Sequence, residues 1–277
     1  MKRKGLRRIL MILLALIFFA CGGVVLAVRY KYIANDRLNR STINNYTTKR
    51  PASSSAASPA SSSGSSDVSG SDGEEQRERV YAPIEVDFKE LKELNDEIIG
   101  WIYCEDTPIN FPVVQADDND FYIDHSYDRR ANPCGAAFAD AYNTRDFGDS
   151  NTIIYGHHLI NGAAFASLEK WLEQDFFDEH PIMWILTPEQ DYRVELFSAY
   201  YISAFSDAYT LYRYPSPDLD EYLAVTMSRA QASADVELDG EAKYVMLSTC
   251  AYVFDYARAV VHGKMVPVDS AGGVPIE

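Results

Sequence analysis

The residues best suited to chemistry are a cysteine at the end of one apolar strand and an arginine on the next. Tyr244-Val245-Met246-Leu247 runs through Ser248 and Thr249 into Cys250, and Ala257-Arg258-Ala259-Val260-Val261 resumes the apolar pattern. A neighbouring cation favours the thiolate, which is the nucleophilic form of cysteine. An unassisted thiol, with a pKa of about 8.5, is mostly protonated at neutral pH, so a second group must activate it. Five histidines are available: His125, His157, His158, His180 and His262. His157 and His158 are the best placed. They follow Ile153-Ile154-Tyr155-Gly156, another strand end opening into a loop, and Gly156 permits a sharp turn there. His180 precedes Pro181 and reads as a turn residue, His125 as a loop residue, and His262 as a structural or surface residue of a strand.

Positioning these groups requires a sheet. Asp87, followed by Glu90, reads as a helix N-cap, and Phe88, Leu91, Leu94 and Ile98 recur at helical spacing, which predicts a helix over 87–99. Short strands follow at 101–103, 110–115, 136–139 and 151–155. A helix is expected at 163–173, a long hairpin from 182–186 and 192–201, and a helix at 217–229. The two strands around Cys250 close the chain. Many short strands with few helices favour a β-barrel with helical additions over a βαβ sheet.

Outside this region the composition changes. Ile9 to Val28 is an uncharged run of twenty residues, long enough to span a bilayer as a helix. Lys2, Arg3, Lys4, Arg7 and Arg8 precede it, which predicts a cytoplasmic N-terminus and an exported domain. A cleaved signal peptide and a lipidated Cys21 are the alternatives, and both also place the domain outside the cytoplasm. Residues 1–50 hold eleven Lys/Arg and one Asp, a balance of +10; against the total of −16, the remainder carries −26. So acidic a domain does not bind nucleic acid through its field and is repelled by anionic lipid. The expected organisation is a cytoplasmic segment at 1–8, a membrane helix at 9–28, a stalk and linker at 29–80, a folded domain at 81–270 and a tail at 271–277. Residues 30–50 read as a polar stalk continuing the helix by a turn, and 51–72, rich in Ser, Ala, Gly and Pro, as a flexible tether. Four cysteines are too few for a disulfide scaffold. Whether Cys104 and Cys134 pair or stay reduced, Cys250 is left as a free thiol.

Taken together, Leu247-Ser248-Thr249-Cys250, the later Arg258 and Tyr155-Gly156-His157-His158 resemble the sortases, membrane-anchored cysteine transpeptidases of Gram-positive bacteria. The resemblance runs in the family's order over residues 82–269. The helix before the barrel, the helix at 217–229 and Asn151-Thr152-Ile153-Ile154-Tyr155-Gly156-His157-His158 resemble class B. The arginine lies eight residues after the cysteine, a shorter loop than in some class B members. The resemblance implies an eight-stranded sortase-type β-barrel with an N-terminal helix and inserted helices. It implies Cys250 as nucleophile, His157 as the acid that protonates the leaving amine, with His158 orienting its neighbour, and Arg258 as the group on the substrate carbonyl or oxyanion. It implies Ser248, Tyr155, Asn119 and Ile123 as substrate contacts. The implied partners are an NPxTx- or LPxTG-like sorting-signal peptide and an amine of peptidoglycan or a pilin, with no metal or organic cofactor. Asp255 reads as a turn former rather than a third catalytic group. Two other readings remain: a cell-wall cysteine peptidase, whose usual cysteine-before-histidine order is reversed here, and a membrane-tethered binding domain without activity.

Overall fold

Residues Lys2–Tyr46 form one continuous helix, α1. The computed structural model describes residues 2–50, 80–159, 162 and 164–269; the Ser/Ala/Gly-rich stretch and the C-terminal tail lie outside the described residues. Between Met11 and Val28 the large apolar side chains stand uncovered, with Phe18 74% and Phe19 73% exposed. The helix is long and apolar enough to cross a membrane. Beyond Arg29 it changes role. Asn35, Leu38, Thr42 and Tyr46 recur at spacings of three and four and share one face. Asn35 and Thr42 are buried, and Leu38, Ile43 and Tyr46 pack against a cluster that includes Leu91, Tyr122 and Tyr127. Residues 30–50 are therefore docked helix and strand rather than a polar stalk. Leu38, Ile43 and Tyr46 lie toward the domain beside the buried Asn35 and Thr42, and burying that side outweighs the polar average.

β1 (Thr47–Lys49) follows at once and pairs antiparallel with β2 (Ile84–Val86). Arg50 N–H donates to the Pro83 carbonyl at 2.9 Å. The described residues on either side of the Ser/Ala/Gly-rich stretch are thus neighbours in space, and α1 itself links the apolar run to the domain.

α2 (Phe88–Leu94) starts where predicted, with the Asp87 carboxylate accepting from Glu90 N–H at 3.0 Å. It ends at Leu94, five residues short of the expected 99. The buried Asn95 takes an extended backbone, donates from its amide to Tyr122 Oη (2.8 Å) and the Tyr127 carbonyl (2.7 Å), and accepts from Glu97 N–H. Asn95 N–H still closes the last turn on the Leu91 carbonyl, but the side-chain bonds hold its backbone extended, so Ile98 falls into a strand despite its helical spacing.

The strands are β3 (Ile98–Tyr103), β4 (Asn110–Val114), β5 (Ala137–Ala139), β6 (Asn151–Gly156), β7 (Ile182–Leu186), β8 (Asp191–Ser203), β9 (Ala232–Ser233), β10 (Lys243–Cys250) and β11 (Ala257–Val268). Their order is β11-β10-β6-β5-β4-β3-β7-β8, and β8 pairs with β11 to close an eight-stranded barrel; β9 adds to β8. Only closure removes every barrel edge. The pairs β4–β5 and β6–β10 are parallel, the rest antiparallel. The barrel interior is apolar and includes Ile102, Val113, Ile154, Ile185, Leu196, Val245, Leu247 and Val261. The expected helix at 163–173 is a 3-10 helix, Phe165–Leu172, followed by α3 (Gln174–Glu179). α4 (Pro217–Ser228) is capped by Ser216, with Pro217 in its first turn. It packs Leu219, Tyr222 and Leu223 on Phe197 and Tyr244, outside the barrel.

His262 of β11 is structural. It is 2% exposed, stacks on Tyr200 at 5.4 Å between centroids, and its Nε2 lies 3.0 Å from Tyr200 Oη. Burial, with Arg229 nearby, holds its pKa down to about 3. An unfolded histidine titrates near about 6.5, so between these values the unfolded chain binds a proton that the folded chain does not. Stability from this group is complete above about pH 6.5 and falls as the pH drops toward 3. Asp191, raised by burial to about 6, acts in the opposite direction over the lower part of that window. The test is therefore a difference: melting temperatures from pH 7 to 4 should fall more steeply for the parent than for His262→Gln. Parallel curves would contradict a neutral buried His262.

Candidate active site

Side chains two residues apart on a strand share a face, so strand register decides which groups meet. Within β10, Met246, Ser248 and Cys250 share the face opposite Val245 and Leu247, which fill the barrel. On the parallel neighbour β6, Met246 pairs with Ile153 and Ser248 with Tyr155, so His157 continues the same face just beyond the strand. On the antiparallel neighbour β11, Ser248 pairs with Val260 and Cys250 with Arg258. The cysteine strand therefore lies between the histidine strand and the arginine strand, and the three groups emerge at one end on the outer face. There they line a single cleft of about 530 Å³ together with Asn119, Ile123, Tyr155 and Ser248. All seven sequence-predicted site residues are thus brought together. The volume suits a peptide segment of a few residues.

His157 is held from behind. Its Nε2 meets the carbonyl oxygen of Ile123, and because a carbonyl can only accept, Nε2 carries the proton. In the neutral ring this leaves the lone pair on Nδ1. Gly135, at φ +59°, lies under the ring: a Cβ there would be 2.5 Å from His157 Cδ2 and 2.7 Å from the Ile123 carbonyl oxygen. Glycine is needed at this turn for both conformation and space. Gly156 is needed for space alone, since a Cβ would come within 2.5 Å of the Phe165 ring.

Arg258 Nη1 donates to the carbonyl of Ala257 at 3.0 Å. Among the described residues no carboxylate forms an ion pair with it, so its charge is open to a substrate oxygen. Cys250 is half-buried, and the turn after it is closed by Ala251 N–H donating to the Ala257 carbonyl. Asp255 is exposed in that turn and ion-pairs with neither His157 nor Arg258. His158 points elsewhere: its Nε2 lies 3.0 Å from Glu169, and Tyr252 meets its ring edge-on. His125 stacks on Phe121, and His180 caps α3 and stacks on Phe176.

The groove walls are hydrogen-bonded to partners that no local sequence pattern marks. Tyr155 Oη donates to Asp140 at 2.8 Å, and the Asn119 amide donates to the same carboxylate at 3.1 Å. Burial and the Asp140 charge raise the Tyr155 pKa, so the phenol stays protonated as a donor. Tyr155 stacks on Tyr209, whose Oη lies 2.8 Å from Ser248 Oγ. Asp140 and Tyr209 carried no local signal: one is among 41 acidic residues and the other among 19 tyrosines. Only tertiary structure singles them out.

All four cysteines are free. Burial pushes the Cys104 thiol up to about 12 and raises Cys134 as well, which leaves both inert. Iodoacetamide at pH 7.5 should therefore label Cys250 at least about 100-fold faster than Cys104, by mass mapping of the folded chain. Comparable rates would contradict the assignment of Cys250 as the reactive thiol.

No protein-family model matches the chain. Among curated proteins it is similar to sortase B of Listeria monocytogenes, 35% identical over 184 residues, which covers 65% of this chain and 74% of that protein. Among solved structures, Staphylococcus aureus sortase B superposes with TM-score 0.62 at 30% identity, over 66% of this chain and 87% of that one. A sortase B–substrate complex from the same organism gives TM-score 0.62 at 29% identity over 66% and 85%. Clostridium perfringens sortase B gives 0.60 at 31% over 65% and 100%. The barrel, the cleft and these likenesses converge, and the chain belongs to the class B sortases, a family of cysteine transpeptidases.

Proposed function

We propose that this sortase cleaves the C-terminal sorting signal of a surface protein at Cys250 and transfers the acyl fragment to an amine. The observation that carries this reading is the register of β10 between β6 and β11, with Cys250 opposite Arg258 and Thr249 opposite Gly156. The Cys250 thiol passes its proton to the free Nδ1 of His157, and the resulting thiolate attacks a backbone carbonyl carbon, forming a C–S bond as the peptide C–N bond breaks. His157 delivers a proton to the departing amine. Arg258, with its guanidinium free of carboxylates, stabilises the charge on the carbonyl oxygen. An incoming amine then attacks the thioacyl carbon, expels the thiolate and returns a proton to His157. The protein's own side chains account for every proton and bond in this sequence.

Asn119, Ile123, Tyr155 and Ser248 form the groove for an NPxTx- or LPxTG-like peptide. Support for a peptide occupant comes from the S. aureus relative, whose complex with a substrate has the same fold. The amine belongs to peptidoglycan or to a pilin. The apolar part of α1 anchors the enzyme in the plasma membrane as a single span, with the basic N-terminus in the cytoplasm and the barrel outside. From Val28 to Asn35 the helix rises about 10 Å, so the docked helix holds the barrel close to the bilayer despite the repulsion between its acidic surface and anionic lipid, rather than clear of it.

Cys250→Ala should abolish peptide cleavage, while Cys104→Ala and Cys134→Ala retain it. With a primary amine added, mass spectrometry should find the ligated product. Hydrolysis alone would indicate a peptidase, and an active Cys250→Ala would overturn the assignment. Arg258→Lys keeps the charge but loses the planar fork, and should lower kcat/KM by about 100-fold.

A further inference from the structure

The groups that hold His157 from behind are themselves held by α1. The Asn132 side-chain amide donates to Asn35 Oδ1 at 2.8 Å, and Asn35 is 8% exposed. Asn132 in turn builds the turn beneath the imidazole. Its side-chain oxygen accepts from Cys134 N–H at 3.1 Å and its backbone carbonyl accepts from Gly135 N–H at 2.8 Å. Asn132 N–H donates to the Asp124 carbonyl at 2.7 Å, next to the residue whose carbonyl meets His157 Nε2. A small cavity of about 30 Å³ is bounded on one side by Asn35 and Asn39 and on the other by Gly135, Gly156 and His157. The anchor helix thus forms a wall of the space behind the imidazole.

We infer that Asn35 is a positioning residue for His157: through Asn132 it locks the Cys134–Gly135 turn that sets the ring against the Ile123 carbonyl. The inference rests on the sortase reading, in which His157 is the acid. Asn35 is buried and Asn132 half-buried, so this amide pair favours one geometry, because an unpaired Asn35 would carry a desolvation penalty. Placement matters steeply for proton transfer, where a displacement of about 1 Å costs up to about 100-fold in rate. Docking of the anchor and catalytic competence are therefore coupled in one chain.

The test uses the full chain in detergent micelles. Asn35→Leu keeps the branched shape and removes the acceptor for Asn132. It should lower kcat by about 10- to 100-fold with the peptide KM unchanged. It should also displace the pH profile of Cys250 alkylation by iodoacetamide. Asn35→Asp retains an acceptor oxygen and should restore both. Thr42→Val unties the same helix from Tyr127 rather than from the Gly135 turn. It should lower the melting temperature and leave kcat unchanged. An Asn35→Leu enzyme with the parental kcat and alkylation profile would overturn the inference. If Asn35→Leu does not fold, Asn35→Ala removes the same acceptor with less bulk, and parental kcat in that variant would overturn the inference equally. A parent that fails to cleave any sorting peptide overturns the sortase reading itself. A parent that cleaves, beside an unaffected Asn35→Leu, overturns the role of Asn35 alone.

Discussion

The candidate site depends on the register of β10 between a parallel and an antiparallel neighbour. Ser248 lies opposite Tyr155 on one side and Val260 on the other, and Cys250 lies opposite Arg258. A slip of one residue would send Cys250 to the barrel interior, because side-chain direction alternates along a strand. The apolar alternation prevents this: Val245 and Leu247 fill the core, and Met246 packs outside on Tyr200 and Val260. Both faces of β10 are buried, so hydrophobic burial on two sides specifies the position of one sulfur atom.

Around that register the polar groups divide by what holds them. Leaving a buried hydroxyl unpaired costs about 1–3 kcal/mol, more than a typical hydrogen bond returns. Tyr155 and Ser248 therefore act first as walls, their hydroxyls engaged by Asp140 and Tyr209. Arg258 differs in having no carboxylate among the described residues to hold its charge. The fixed walls shape a groove, and the cation is left for the ligand. Ile123 does both: its carbonyl meets His157, while its side chain is 43% exposed at the rim.

Much of this was legible in the sequence, and the reason is local. Strand ends at Gly156 and Cys250 show as apolar runs followed by turns, and the alternation that points Cys250 outward is printed in Val245 and Leu247. What stayed hidden is set by distant partners. Asn95 ends α2 because Tyr122 and Tyr127 capture its amide, which no local pattern encodes. Residues 30–50 look like a polar stalk until the face made by Asn35, Leu38, Thr42 and Tyr46 finds its partner across the domain. Barrel closure, likewise, is a pairing of β8 with β11 more than fifty residues apart. The Ser/Ala/Gly-rich composition looks like the tether, whereas the docked helix makes the connection.

The central claim is covalent chemistry at Cys250, and trapping it is the most direct measurement. The full chain is mixed with a sorting peptide without added amine, quenched in acid and digested. Mass spectrometry should place the acyl fragment N-terminal to the cleaved bond on the peptide containing Cys250, and added hydroxylamine should remove it. Peptide turnover with no adduct on Cys250, or with the adduct on Cys104 or Cys134, would contradict the account.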